Sequence, residues 1–256
     1  MNIPQQFISA AVKARSCVVL TGAGVSAESG LQTFRGLQGL WEDFDPLELA
    51  TPEAFARDPQ KVWKWYQWRR EKLPQVAPNP AHRAIAEMEG LFGDFLLVTQ
   101  NIDGLHQRAG STRLVELHGN LNRNKCARCG ITIEALPASP GVPPRCSCGG
   151  LIRPDVVWFG EMLPEAALKK AWQAAENADL FLSVGTSAAV QPAASLGLVA
   201  RNNGATLAEV NPEETELSPW ADFRFPGPAG LIMPELLGVL SRVKLGLNGD
   251  GDGAEF

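Results

Sequence analysis

Short apolar runs alternate with amphipathic stretches along most of the chain. "CVVLT" (17–21), "FLLVT" (95–99), "LVELH" (114–118), "LFLSV" (180–184) and "TLAEV" (206–210) are brief, continuous and bounded by turn residues, which reads as buried strands. Helical patterning falls between many of them, at 4–14, 80–91, 164–177, 191–202 and 230–243. Strands alternating with helices predict a parallel sheet covered on both faces. The strands run into "GAGVS", "QNIDG", "GN", "GTS" and "NP". In such sheets ligands bind beyond the carboxyl ends of the strands, so these small and polar endings are expected to converge on one site.

Two segments interrupt the alternation. Residues 36–78 are helical in pattern and rich in Trp and charge, and 119–160 hold most of the Cys with many Pro and Gly. The expected fold class is α/β: a Rossmann-like parallel sheet with helices on both faces, plus a smaller domain made of a helical insertion and a zinc-binding module. The large domain is expected at 1–35, 79–118 and 161–245, the small one at 36–78 and 119–160. The tail, 246–256, is small, acidic and expected to be flexible.

Composition narrows the function classes. The 256 residues are 45% hydrophobic and 20% charged with a net charge of −5, an ordinary globular balance. No global field draws the chain to nucleic acid or an anionic membrane, so any attraction for acidic ligands is local. No signal-like apolar run opens the sequence and none reaches membrane-spanning length. A cytoplasmic monomer is expected. Four of the five Cys lie between 126 and 148, and in a reducing compartment clustered Cys point to metal.

"TGAGVSAESG" (21–30) fits G-x-G-x-x-G/A at Gly22, Gly24 and Ala27 directly after a strand. Glycines there let backbone N–H groups approach a pyrophosphate. No strand ending in an acidic residue follows about twenty residues on, which argues against an ordinary dehydrogenase. "CARC" and "CSC" place Cys126, Cys129, Cys146 and Cys148 as four thiolates for one tetrahedral Zn²⁺, a closed structural site. Cys17 reads as core packing. Of three histidines, His82 and His106 read as hydrogen-bonded structural residues. His118, at a strand end beside Gly119 and Asn120, is the candidate general base. Gln100, Asn101 and Asp103 of "TQNIDGLH" offer groups for an amide and ribose hydroxyls, or an N-cap for the next helix. Gly185, Thr186 and Ser187 offer further donors, or a plain loop.

Taken in order, GAGVS with FRG, TQNIDGLH, ELHGN, the paired cysteines, VVWFGE, VGTS and EVNP resemble a sirtuin over residues 8–242. The resemblance implies an NAD-dependent protein-lysine deacylase. It places Gly22, Ala23, Gly24 and Ser26 at the NAD phosphates and Phe34 and Arg35 in a cofactor loop. Gln100, Asn101, Ile102 and Asp103 would surround ribose and nicotinamide, and Gly185, Thr186, Ser187, Asn211 and Ala229 the adenosine half. His118 would be the base, and Val157, Trp158 and Phe159 would pair with an acyl-lysine peptide as an added strand. The implied chemistry is attack of the acyl oxygen on C1′ of the nicotinamide ribose, loss of nicotinamide, and transfer of the acyl group to a ribose hydroxyl. The products are free lysine and O-acyl-ADP-ribose, and zinc stays outside the chemistry.

One departure is informative. The family stretch G-I-P-D-F-R reads "GLQTFR" here, with Thr33 in place of Asp. That resembles the class III branch, whose members remove succinyl and malonyl groups. "PQKVWKWYQWRREKL" (59–73) then gains meaning. As a helix it sets Val62, Tyr66, Arg69 and Leu73 on one face. Tyr66 and Arg69 match the branch's Y-x-x-R, a hydroxyl and a guanidinium for one carboxylate. Ala50 of "ELATP" leaves room in the acyl pocket. Trp63, Trp65, Trp68, Lys61 and Arg70 are expected to be ordinary helix packing and snorkelling surface.

Overall fold

The computed structural model describes residues 2–33, 44–133 and 142–245. Phe34 and Arg35, expected in the cofactor loop, the first residues of the helical insertion and the acidic tail lie outside the described residues. The elements in chain order are α1 (Gln5–Lys13), β1 (Ser16–Thr21), α2 (Gly24–Ala27), α3 (Pro46–Leu49), α4 (Pro52–Arg57), α5 (Pro59–Lys72), α6 (Pro80–Met88), β2 (Asp94–Thr99), α7 (Leu105–Arg108), β3 (Leu114–Glu116), β4 (Gly119–Cys126), β5 (Thr132–Ile133), β6 (Ile152–Val156), α8 (Glu165–Glu176), β7 (Leu180–Val184), α9 (Leu196–Asn202), β8 (Thr206–Asn211), β9 (Phe223–Pro226) and α10 (Ala229–Lys244).

Six parallel strands form the main sheet in the order β3-β2-β1-β7-β8-β9. Its two faces are both buried, as the continuous apolar runs require. Cys17 and Val19 of β1 face one core, with Phe7 and Ala11 of α1, Ile85 and Met88 of α6, and Met233 and Leu236 of α10. Val18 and Leu20 face the other, with Ala171 and Ala175 of α8 and Leu196 and Ala200 of α9. This is strand alternation with both sides apolar. The chain leaves β1 towards β2 and β3 on one side and builds β7, β8 and β9 on the other. The crevice therefore opens between β1 and β7, at the point where strand order reverses.

Strand β9 was not among the expected strands. "FRFP" exposes Arg224 and ends in Pro226, which suits an edge and hides the strand from a search for apolar runs.

The second unit is a three-stranded antiparallel sheet, β5-β4-β6, packed by α4 and α5. The helices start where side chains cap them. Thr51 Oγ1 accepts from the Ala54 amide at 3.1 Å and Asp58 Oδ1 from the Lys61 amide at 2.9 Å, each followed by a proline at the first helical position. Trp63, Trp65 and Tyr66 are buried, as helix packing requires. Arg70 corrects the sequence expectation, because it does not snorkel. Its guanidinium donates to the backbone oxygens of Leu121 (2.6 Å) and Arg123 (3.1 Å) and to Asn124 Oδ1 (2.6 Å), tying α5 to β4. Strand β4 is irregular between Asn120 and Asn124, and these carbonyls are part of what an unbroken ladder would otherwise satisfy.

Candidate active site

A cavity of about 780 Å³ occupies the crevice and runs on beneath the smaller unit. Its wall brings together Gly22, Ala23 and Gly24 after β1, Gln100, Asn101 and Ile102 after β2, and His118 after β3. Gly185, Thr186 and Ser187 follow β7, Asn211 follows β8, and Ala229 opens α10. Ala50, Tyr66, Arg69, Val157, Trp158, Phe159 and Thr33 line the other end. Ser26 and Asp103 lie one layer behind, bordering an adjoining cavity of about 380 Å³.

The glycine loop approaches the β7 loop so closely that side chains are excluded. A Cβ on Gly185, whose φ is +59°, would lie 2.3 Å from the Val25 amide nitrogen. The loop does not present a full row of free amides. Gly22 donates to the Val184 oxygen, Gly24 to Gly185, Val25 to Gly22 and Ser26 to Ala23. Among the described residues the amides of Ala23, Thr186 and Ser187 carry no hydrogen bond, so these are the donors open to an anion. A small-residue cradle with unpaired amides at a switch point suits a dinucleotide.

The histidines divide as their surroundings dictate. His118 Nδ1 lies 3.0 Å from the Gln100 backbone oxygen, which can only accept, so Nδ1 carries the proton and Nε2 holds the lone pair. Burial pushes its pKa below the usual histidine value, opposed by the Gln100 carbonyl. Gln100 is itself fixed, its amide donating to Thr21 O at 3.0 Å and its side chain to Thr186 Oγ1 at 2.9 Å. His118 is thus a neutral imidazole held in one orientation, with the properties a general base needs.

His82 sits in the capping box of α6, where its Nδ1 accepts from the Asn79 amide at 3.3 Å. Its Nε2–H therefore points to Ser26 Oγ, 3.3 Å away, and Ser26 in turn donates to Asp103 Oδ2 at 2.8 Å. Asn101 Nδ2 donates to the same Ser26 oxygen at 3.1 Å. Burial pushes His82 down to about 4 and raises Asp103, so the network is held with a neutral imidazole. The sequence showed His82 only as a helix-start residue. Its link to Ser26 spans 56 positions and leaves no local signature.

At the far end, Tyr66 and Trp158 are almost fully buried, and the indole Nε1–H donates to the Tyr66 hydroxyl at 2.9 Å. Arg69 stacks on Trp65, 5.0 Å from the ring centroid. It is the only lysine or arginine among the described residues lining the large cavity, whereas Glu28, Glu161, Glu213 and Glu214 also line it. The added-strand expectation for 157–159 needs revision in one respect. Val157 N–H donates to His118 O (2.9 Å), Trp158 N–H to Glu161 Oε2 (2.8 Å) and Phe159 N–H to Ala50 O (2.9 Å), so all three amides are committed internally. The Val157 carbonyl and the Gly160 amide remain unbonded among the described residues. Glu161 was missed from the sequence. It reaches back to Trp158 across a tight turn, a contact visible only once the turn is formed.

The four clustered thiols stand apart, and none lines the cavity. Their sulfurs lie within 4.8 Å of one another, with Cys126 and Cys148 at 3.4 Å and Cys129 and Cys146 at 3.9 Å. Four thiolates around one Zn²⁺ at about 2.3 Å put sulfurs about 3.8 Å apart, so the set fits the ion. No other His, Asp or Glu among the described residues joins the cluster, which leaves no open coordination position. Cys17 is buried in β1 and burial raises its thiol pKa, in keeping with a packing role.

Known proteins share this arrangement. The Sir2 family profile matches residues 22–192. An NAD-dependent protein deacylase of Thermus thermophilus is 57% identical over 214 residues, 82% of this chain and 84% of that protein. NAD-dependent protein deacylase 1 of Archaeoglobus fulgidus is 49% identical over 235 residues, 91% of this chain and 96% of that protein. The crystal structure of a Sir2 homolog–NAD complex superposes with a TM-score of 0.88 at 48% identity, covering 95% of this chain and 96% of that one. The sheet order, the glycine cradle and the four-cysteine module all agree with that match, and the chain belongs to the Sir2 family.

Proposed function

We propose that the protein is an NAD-dependent protein-lysine deacylase whose acyl pocket favours chains ending in a carboxylate, succinyl and malonyl above all, while still admitting acetyl. The observation that carries the acidic preference is Arg69, the one lysine or arginine among the described residues of a cavity wall whose carboxylates all lie on other segments, with Tyr66 one helical turn before it. The names of close relatives and the NAD complex of a homologue support the cofactor and the reaction class.

In this reading Gly22, Ala23, Gly24 and Ser26 hold the NAD phosphates, and Gln100, Asn101, Ile102 and Asp103 the ribose and nicotinamide. Gly185, Thr186, Ser187, Asn211 and Ala229 hold the adenosine half, and Phe34 and Arg35 complete the cofactor set. NAD supplies a ribose carbon that can accept the acyl oxygen, with nicotinamide as the leaving group. His118 Nε2 takes the proton from a ribose hydroxyl. Because Nδ1–H is held by Gln100, the lone pair stays aimed into the cavity without a reorientation step. An extended peptide would meet the Val157 carbonyl and the Gly160 amide, with Phe159 at the rim. Ala50 leaves space for the lysine and acyl stem. Cys126, Cys129, Cys146 and Cys148 hold Zn²⁺ as a structural ion, away from the chemistry. The separate apolar core of the smaller unit supports a division into two domains.

The test is turnover with NAD and peptides of one sequence bearing succinyl-, malonyl-, glutaryl- or acetyl-lysine, read as nicotinamide release and kcat/KM. Release is expected with all, fastest with an acidic acyl group. No release with any peptide sinks the deacylase reading, and an acetyl preference sinks the acidic one.

A further inference from the structure

Tyr66 lines the cavity, and among the described residues its hydroxyl makes one hydrogen bond, to Trp158 Nε1. An indole nitrogen can donate but never accept. The bond therefore occupies a lone pair of the phenol and leaves the phenolic proton with no acceptor among the described residues. A buried donor left unpaired is costly, so this proton favours whatever acceptor enters the pocket.

Trp158 is braced for this task. Its own amide donates to Glu161 Oε2 at 2.8 Å. The Arg153 guanidinium lies 3.2 Å from its ring centroid, and Arg153 is paired with Glu161 at 2.5 Å and donates to the Val156 oxygen at 2.7 Å. Arg153 is buried, so its charge is poorly screened. A cation on the ring face draws electron density from the indole and strengthens its N–H as a donor.

We infer that Trp158 is a positioning residue for acyl selectivity, because its indole N–H fixes the polarity of Tyr66 so that the phenol presents a donor, and not an acceptor, to the end of the acyl chain. The inference rests on the reading of Tyr66 and Arg69 as the acyl pocket, and it extends the selective set beyond the helix that carries them. Arg69 supplies charge, which any anion satisfies. Tyr66, polarised by Trp158, adds a direction that a carboxylate oxygen meets and a methyl end does not.

The experiment is a double-mutant cycle on the full chain with NAD, using Trp158→Phe, Tyr66→Phe and the combination. The readout is the ratio of kcat/KM for succinyl-lysine to that for acetyl-lysine in one peptide sequence. General damage to peptide binding lowers both substrates and cancels in this ratio. Trp158→Phe is expected to lower the ratio about three- to tenfold, the scale of one hydrogen bond, and the double variant to fall no further than Tyr66→Phe alone. An unchanged ratio in Trp158→Phe, or a double variant that falls by the product of the two singles, overturns the inference. Should Trp158→Phe fold poorly, Glu161→Ala removes the acceptor of the Trp158 amide and the partner of Arg153, frees the residue from its brace, and is expected to lower the ratio in the same direction; an unchanged ratio there counts against it equally. Tyr66 is the only tyrosine in the chain, so protein grown on 3-fluorotyrosine carries one reporter fluorine. Its resonance is expected to shift in Trp158→Phe, and an unmoved resonance counts against the contact. A wild type with no preference for succinyl overturns this inference together with the pocket reading. A preference lost in Tyr66→Phe but kept in Trp158→Phe overturns the positioning role alone.

Discussion

His118 Nδ1 and the backbone oxygen of Gln100 stand 3.0 Å apart, and that contact decides which nitrogen of the imidazole keeps a free lone pair. Burial holds the ring's pKa below the usual histidine value of about 6.5, so the neutral form dominates at neutral pH. Activity is therefore expected to be flat through pH 7 and to fall on the acid side, as protonation removes the Nε2 lone pair. The midpoint of kcat/KM should lie below that of a free histidine. His118→Ala should lower kcat by about 10²–10⁴ and abolish this acid limb, while ADP-ribose binding measured by calorimetry is retained.

Arg69→Met keeps much of the side-chain volume and removes the charge. The lost charged hydrogen bond is expected to lower kcat/KM for a succinyl-lysine peptide by about 10- to 100-fold, with a much smaller loss for acetyl-lysine. Steady-state kinetics on matched peptides check this. An equal loss on both substrates, in protein with an unchanged circular dichroism spectrum, would mean that Arg69 only supports the fold.

Five of the six strands of the main sheet, all but β9, were legible because their signals are local. Both faces of β1 and β7 are buried, so each is a continuous apolar word, and the polar residues after them mark the crevice. Strand β4 was not resolved from its surroundings because "GNLNRNKC" is rich in asparagine. Its buried polar residues are satisfied by partners far along the chain, such as Arg70 on Asn124. Motif residues such as Gly22, Gln100, His118 and Gly185 were equally legible as a group that lines one cavity. Those that act through a contact were not. Glu161 and Arg153 declare themselves only when a turn and a strand bring them onto Trp158, and His82 only when α6 packs against Ser26.

The glycine cradle gives a backbone test. Gly185→Ala places a Cβ 2.3 Å from the Val25 nitrogen at a positive φ, and neither loop can yield without breaking the amide contacts between them. The left-handed backbone alone costs about 1–2 kcal/mol, and the clash adds to it. A lowered Tm and loss of ADP-ribose binding by calorimetry are expected, whereas a wild-type response would show that the loops stand further apart than described.

Zinc is expected at one ion per chain, with its removal felt through the fold. Cys146→Ser, or a strong chelator, should release the ion by elemental analysis and lower Tm, because thiolate–metal bonds are the main cross-links of the β4–β5–β6 module. Activity should fall in parallel with folded fraction. A metal-free enzyme with full folded content and no activity would instead place the ion in the chemistry.

His82 and His106 make the fold itself sensitive to acid. Burial lowers them to about 4 and about 3, and the His106 Nδ1 is buried with no partner, so neither ring accepts a second proton without cost. For a histidine whose folded pKa is depressed, the unfolded chain takes up its proton first, near pH 6.5. Stability is then complete above about pH 6.5 and declines as pH falls towards 4. Each ring contributes up to about 1.4 kcal/mol per pH unit across that window. Urea unfolding at pH 7.5 and 5 should show the loss as a lower midpoint at constant slope. His106→Gln cannot titrate, so it should be less stable at pH 7.5, where its hydrogen bond to Thr21 is disturbed, yet lose less on acidification than the wild type. Equal losses in both proteins would assign the acid sensitivity to groups other than His106.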